Sequence, residues 1–288
     1  MTNTNANCPL CTGQVLQTLP ARLRDSETHS VLQCQGCSHI FLDSFDHINP
    51  DFYATGGITK DRPFGSEIEA RLRHFDFENE ERLQRIGNLI TNKRVLDFGC
   101  GAGALLERVA SKATVAHGVE PNVQFREYLS SKSLTVFPRA EDIEEKYDVV
   151  LAFHVLEHLK DPVGALRQIK GLLNPGGSIY LEVPNVNDAL RVLYDVEEYG
   201  VFHFFKSHLH YFSRQSMQQM LKEAGLSNAR IIGHSRFSIA NHLYWLRHGK
   251  PGGHAKWSFL EDPQLAQAYN AVLAKLDAAD SLAAHITC

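Results

Sequence analysis

Residues 95–103 read VLDFGCGAG. A short apolar run carrying Asp97 meets three glycines, Gly99, Gly101 and Gly103, and the following ALLERVAS has helical spacing. A buried strand, a glycine turn and a helix N-terminus in that order form a cradle for a nucleotide-like ligand. Read as Gly99-x-Gly101-x-x-Ala104 the stretch also passes as a dinucleotide fingerprint, so the glycines alone do not choose the ligand. Asp97 does. A carboxylate two residues before the first glycine repels the pyrophosphate of NAD but attracts the ammonium and sulfonium of S-adenosylmethionine.

Outward from this turn the pattern alternates. KRVLDFG, VAHGVE, LTVFP, YDVVLAF and GSIYLEVPN read as strands, and ALLERVAS, QFREYLSSK and DPVGALRQIKGLL as helices between them. Such an order predicts an α/β fold with a parallel, doubly wound sheet and a ligand at the carboxyl ends of the strands. Glu120 closes the second strand, where a carboxylate accepts both ribose hydroxyls of either cofactor. Glu141 and Asp142 follow the third strand, within reach of an adenine amino group. The expected cofactor site is Asp97, Gly99, Cys100, Gly101, Gly103, Glu120, Pro121, Glu141, Asp142 and Phe153.

The N-terminal segment has a different chemistry. Cys8-x-x-Cys11 and Cys34-x-x-Cys37 lie 22 residues apart, and four thiolates fill a tetrahedral zinc site with no position left for a substrate. Cys8, Cys11, Cys34 and Cys37 are therefore expected to hold a structural zinc ion, with Gly13 and Gly36 easing the turns and metal binding stabilising a segment too small for its own core. The reading divides the chain into a zinc ribbon over 1–45, a linker and helical segment over 46–92, and a nucleotide-binding domain over 93–288.

The whole chain has 288 residues, with 33 acidic against 29 basic side chains, and shows no electrostatic footprint for nucleic acid. MTNTNANCPL lacks the features of a leader, and no apolar run has the length of a membrane span. The expectation is a cytoplasmic protein acting on a small molecule. One motif points elsewhere: His154-x-x-Glu157-His158 matches a zinc protease pattern. It falls at the end of YDVVLAF and the turn after it, where it reads as part of the strand end, with a divalent ion held by the three residues as the alternative.

VLDFGCGAG, GVEPN, the acidic pair in RAEDI, YDVVLAFHVLEHLKDP and LLNPGGSIYLEVPN together resemble the class I S-adenosylmethionine-dependent methyltransferases over residues 93–225. The resemblance implies a seven-stranded sheet whose last strand, here DSLAAHITC, runs antiparallel. With the cysteine pairs it also suggests the zinc-containing methyltransferases of sugar and surface-polysaccharide pathways. Sugar C-methyltransferases of that group carry a further C-terminal domain not found in this sequence, which turns the expectation to O-methylation of a sugar, a sugar nucleotide or a related metabolite. The competing readings are C- or N-methylation, an NAD-dependent oxidoreductase, and a non-catalytic module whose ribbon recruits a partner.

Two insertions, near 186–212 and 237–262, are rich in aromatic residues, and seven histidines fall between His203 and His254. In FFKSHLHYFSRQS, His208 and His210 share one side of an extended segment, Tyr211 faces the other way, and Ser213 is placed to cap the next helix. His208 and His210 are the first candidates for the base that takes a hydroxyl proton, followed by His154 and Tyr211.

Overall fold

The computed structural model describes residues 7–49, 51–57 and 67–288. Residues 1–6 of the leader reading, and 50 and 58–66 of the linker reading, lie outside the described residues. Three short antiparallel strands follow the first cysteine pair, β1 (Leu16–Thr18), β2 (Val31–Cys34) and β3 (Ile40–Leu42), with the second pair at the turn from β2 to β3, Leu16 opposite Cys34 and Val31 opposite Leu42. Val31, Leu32, Ile40, Phe41 and Leu42 are buried, and because successive side chains alternate, β2 and β3 are covered on both faces.

Next come α1 (Asp51–Ala54), α2 (Ile68–His74) and α3 (Asp76–Ile90). The sequence from 66 to 90 reads as one helix, but the backbone at Phe75 leaves helical geometry (φ −96°, ψ 7°) and divides it. On α3 the buried residues are Asn79, Arg82, Ile86 and Ile90, a stripe of helical period whose first half is polar.

The alternation then follows as read: β4 (Arg94–Phe98), α4 (Ala104–Ala110), β5 (Val115–Val119), α5 (Val123–Ser131), β6 (Thr135–Phe137), β7 (Tyr147–Phe153), α6 (Pro162–Gly171) and β8 (Leu173–Pro184). The first insertion supplies α7 (Ala189–Val192), α8 (Glu197–His203) and β9 (His210–Tyr211), and is followed by α9 (Arg214–Glu223) and β10 (Ala229–His234). The second supplies α10 (Ile239–His248) and α11 (Gly253–Lys256), before α12 (Pro263–Lys275) and β11 (Ser281–Thr287). Ser213 caps α9 as its position implies: its hydroxyl accepts the Ser216 amide.

Seven strands form one sheet in the order β10-β11-β8-β7-β4-β5-β6. β4 is parallel to β5 and to β7, and β5 to β6. The Asn185 amide donates to Asp280 and the Cys288 amide to Gly177, so β11 runs antiparallel to β8 and is the reversed last strand. Val95 and Leu96 of β4 and Val150 and Leu151 of β7 are fully buried, which is why these strands read as continuous apolar runs rather than alternating ones.

Two compact units result: Asp46–Val155 with Gly164–Leu181 and His285–Cys288, and Met1–Phe45 with Leu156–Val163 and Glu182–Ala284. The first holds the glycine turn, and the second holds the cysteine pairs.

Candidate active site

In the unit with the glycine turn, the chain leaves β4 through three left-handed residues, Gly99, Gly101 and Gly103. A Cβ at Gly99 would lie 2.4 Å from Val155 Cγ2, so a side chain there would drive the turn off the neighbouring strand end. Gly101 has φ +56° and nothing within 4 Å of the space a Cβ would fill, which leaves the turn open for a ligand. The loop amides, however, are not presented to a ligand as a set. Those of Gly99 and Cys100 donate to the Val119 carbonyl, and that of Gly101 donates to Glu120 Oε2 at 2.9 Å.

Glu120 is held from both sides. Its Oε1 accepts the Asn122 amide at 2.8 Å, so each carboxylate oxygen has one backbone partner and keeps further lone-pair capacity for a hydroxyl. Burial raises the pKa of Glu120, with the Asn122 and Gly101 amides opposing the shift. Asp97 is 3% exposed, and its pKa is pushed up to about 7 by burial, against the nearby positive charge of Arg82 and with the charge of Glu120 adding to the rise. Two buried carboxylates beside an open glycine turn are costly in water-free surroundings and suit a cationic, hydroxyl-bearing ligand.

The other expected cofactor residues divide by role. The side chain of Cys100 packs toward Gly118, whose Cβ position is 2.6 Å from the sulfur, and burial pushes this thiol pKa well up. The Pro121 carbonyl accepts from Arg126 Nη1 at 2.5 Å. Glu141 and Asp142 fall in a 3₁₀ turn over Ala140–Asp142, where Asp142 pairs with Arg139 at 3.0 Å. Phe153 ends β7 with the Arg82 guanidinium 4.8 Å from its ring centre.

Arg82 is the residue that the sequence reading passed over. It is 7% exposed, donates to Glu78 Oε1 at 2.5 Å and to Asn79 Oδ1 at 3.3 Å, and bears electrostatically on Asp97. Its signal was present: Arg82 shares the helical stripe of Ile86 and Ile90, whereas the charges around it read as a solvated face. His154, the residue just after β7, takes φ +54°, the left-handed region, and its Nε2 lies 3.9 Å from Glu78 Oε1.

In the second unit the four cysteine sulfurs lie within 4.8 Å of one another, with Cys8 to Cys37 and Cys11 to Cys34 each at 3.5 Å. Four thiolates about 2.3 Å from one ion would be separated by about 3.8 Å, close to this spacing. The permissive residues are not the glycines the sequence singled out. Thr12 (φ +59°) and Ser38 (φ +61°), each just after a pair, take the left-handed turn, while Gly13 leaves room beside Cys11, whose sulfur is 3.3 Å from the Cβ position.

The same unit shows where the candidate bases of the first insertion lie. His210 is buried, its Nδ1 3.0 Å from His39 Nε2 and its Nε2 2.9 Å from the Leu159 carbonyl; burial pulls its pKa down to about 4. Both ring nitrogens are committed. The Tyr211 hydroxyl donates to the Phe205 carbonyl and accepts the Phe205 amide, and burial raises its pKa. These contacts suit His210 and Tyr211 to holding the insertion in place. His208 lies with Glu157 and His158, the second half of the H-x-x-E-H motif.

Residues 69–231 match the methyltransferase domain family. That is more than half of the chain, and the chain belongs to this family. Its fold agrees with those of solved methyltransferases. A SAM-dependent methyltransferase from Archaeoglobus fulgidus gives a TM-score of 0.52 at 17% identity, covering 76% of this chain and 99% of that one. The plantazolicin methyltransferase BamL, solved with SAH, gives 0.50 at 14% identity over 81% of this chain and 93% of that one. The enzyme class read from the sequence, an S-adenosylmethionine-dependent methyltransferase, stands. Among curated relatives, the ubiquinone biosynthesis O-methyltransferase of Pseudomonas savastanoi pv. phaseolicola is 26% identical over 174 residues, 55% of this chain and 74% of that protein. The protein of the same name from Actinobacillus pleuropneumoniae is 31% identical over 118 residues, 36% of this chain and 50% of that protein. Neither name supports the expected likeness to sugar and polysaccharide enzymes.

Proposed function

We propose that this protein methylates a hydroxyl oxygen of a small molecule with S-adenosylmethionine as donor, and that its four cysteines hold a structural zinc ion. The observation that carries the reading is the pair of buried carboxylates, Asp97 and Glu120, on either side of the open glycine turn. Asp97 would meet the ammonium of the methionine end, and Glu120 the ribose hydroxyls. An NAD-dependent oxidoreductase is disfavoured because Asp97 would face a pyrophosphate. Oxygen as the atom methylated is favoured over carbon or nitrogen by the relatives named O-methyltransferases.

The bound cofactor supplies an electrophilic methyl group on a sulfonium. What the chain supplies is orientation and a proton acceptor. The glycine turn and Glu120 would fix the ribose end, and holding acceptor oxygen and methyl in line provides much of the acceleration. Of the four candidate bases, we assign the proton to His154 Nε2, because it directly follows a strand of the same unit as the glycine turn and has Glu78 at 3.9 Å to stabilise its protonated form. Such a base contributes about 10² to 10⁴-fold. The sugar expected from the sequence is one acceptor class to test, beside phenols.

Incubation with methyl-labelled S-adenosylmethionine and a panel of phenols and sugar nucleotides tests this reading. Label is expected on oxygen of one acceptor class, with His154→Ala lowering turnover at least about a hundredfold. Label on carbon or nitrogen, or unchanged turnover in that variant, would contradict the respective part.

A further inference from the structure

We propose that Glu157, His158 and His208 form a divalent metal site of their own, separate from the four cysteines and independent of which acceptor is methylated. One ligand atom from each of the three lies within 4.8 Å of the others. A carboxylate with two imidazoles suits a transition ion such as Zn²⁺, Mn²⁺, Fe²⁺ or Co²⁺, and three protein ligands leave coordination positions for water or an oxygen ligand.

The tautomer of His158 supports it. His158 Nδ1 lies 2.5 Å from the Ser207 carbonyl, which can only accept, so Nδ1 carries the proton and the neutral ring keeps its lone pair on Nε2. A histidine whose other nitrogen donates to a backbone carbonyl is oriented as metal-ligating histidines are. Glu157 is 0% exposed. Buried charges are paired or coordinate metals, and a carboxylate with imidazoles is a ligand set that a divalent transition ion takes.

The backbone makes the arrangement rigid. The Leu209 amide donates to the Glu157 carbonyl at 2.8 Å, which ties the segment carrying His208 to the turn carrying Glu157 and His158. The Leu42 amide donates to the Leu209 carbonyl, and β3 pairs with β9 one residue further on. The rings of His158 and His208 meet edge to face at 4.8 Å. His154, first residue of the H-x-x-E-H motif, is not in this group.

Cobalt distinguishes the two sites. The reduced, metal-free protein is titrated with Co²⁺ while thiolate-to-metal absorption and bound metal are followed together. The expected result is about two ions per chain, only one of which brings thiolate absorption. Glu157→Gln and His208→Ala should each reduce the count by one and leave the thiolate bands intact, which also shows that the ribbon has folded. Wild-type protein saturating at one ion with full thiolate absorption, or both variants still binding the second ion, would overturn the proposal. The titration needs no acceptor and no donor, so its failure leaves the methyltransferase reading untouched.

Discussion

In the proposed cofactor site Asp97 matters most, because its position would select the cofactor and its burial sets the cost of waiting for it. With a folded pKa of about 7 against an ordinary value of 3.8, it stays protonated in the ligand-free protein over a range where the unfolded chain has already released its proton. The unfolded state therefore binds fewer protons there, and this group's contribution to stability falls as pH rises from about 4 to about 7. Binding a cation runs the other way. Affinity for S-adenosylhomocysteine, which keeps the ammonium, should fall severalfold between pH 8 and pH 6 as Asp97 takes up its proton, and titration calorimetry at both values measures it. Asp97→Asn should bind weakly with no such dependence; a wild-type affinity flat across that range would contradict the role. The sequence singles out Asp97 by its offset from the glycines, and the structure shows that it is buried. Arg82 is harder to single out, because the run of charges that includes Glu80, Glu81 and Arg85 gives no sign of which one is buried.

At the scale of elements, the ribbon is more than an appended module. Its sheet has the order β1-β2-β3-β9, and the fourth strand comes from the first insertion, with Phe41 opposite His210 and Ile40 opposite Tyr211. His39, two residues after Cys37, joins His210, which reaches Leu159. If the four cysteines hold the proposed zinc ion, its loss should loosen the insertion. In Cys34→Ser, amide exchange should rise in residues 207–212, while residues 93–103 keep their protection and S-adenosylhomocysteine still binds. Unchanged exchange at 207–212 would show that the ribbon does not support the insertion. The central strands β4 and β7 of the large sheet are legible because each is an apolar run. β9 was not: two residues, His210 and Tyr211, carry no periodicity, and their partner strand lies about 170 residues earlier in the chain.

For the whole molecule, the alternation from Arg94 to Pro184 and the reversed strand over Ser281–Thr287 together specify the methyltransferase sheet, and the sequence carries both signals. The grouping of Met1–Phe45 with Leu156–Val163 and Glu182–Ala284 was not readable, since it depends on contacts between segments remote in sequence. Among the described residues, no helix is long and apolar enough to cross a membrane. Above all, the cradle formed by Asp97, the glycine turn and Glu120 is proposed to bind S-adenosylmethionine rather than a dinucleotide. Parallel calorimetric titrations of the intact protein with S-adenosylhomocysteine and with NAD test it most directly. The expected result is saturable binding of S-adenosylhomocysteine, weakened at least about tenfold in a folded Glu120→Ala variant, and no binding of NAD. Saturable binding of NAD, or affinity for S-adenosylhomocysteine that survives loss of the Glu120 carboxylate unchanged, would contradict it.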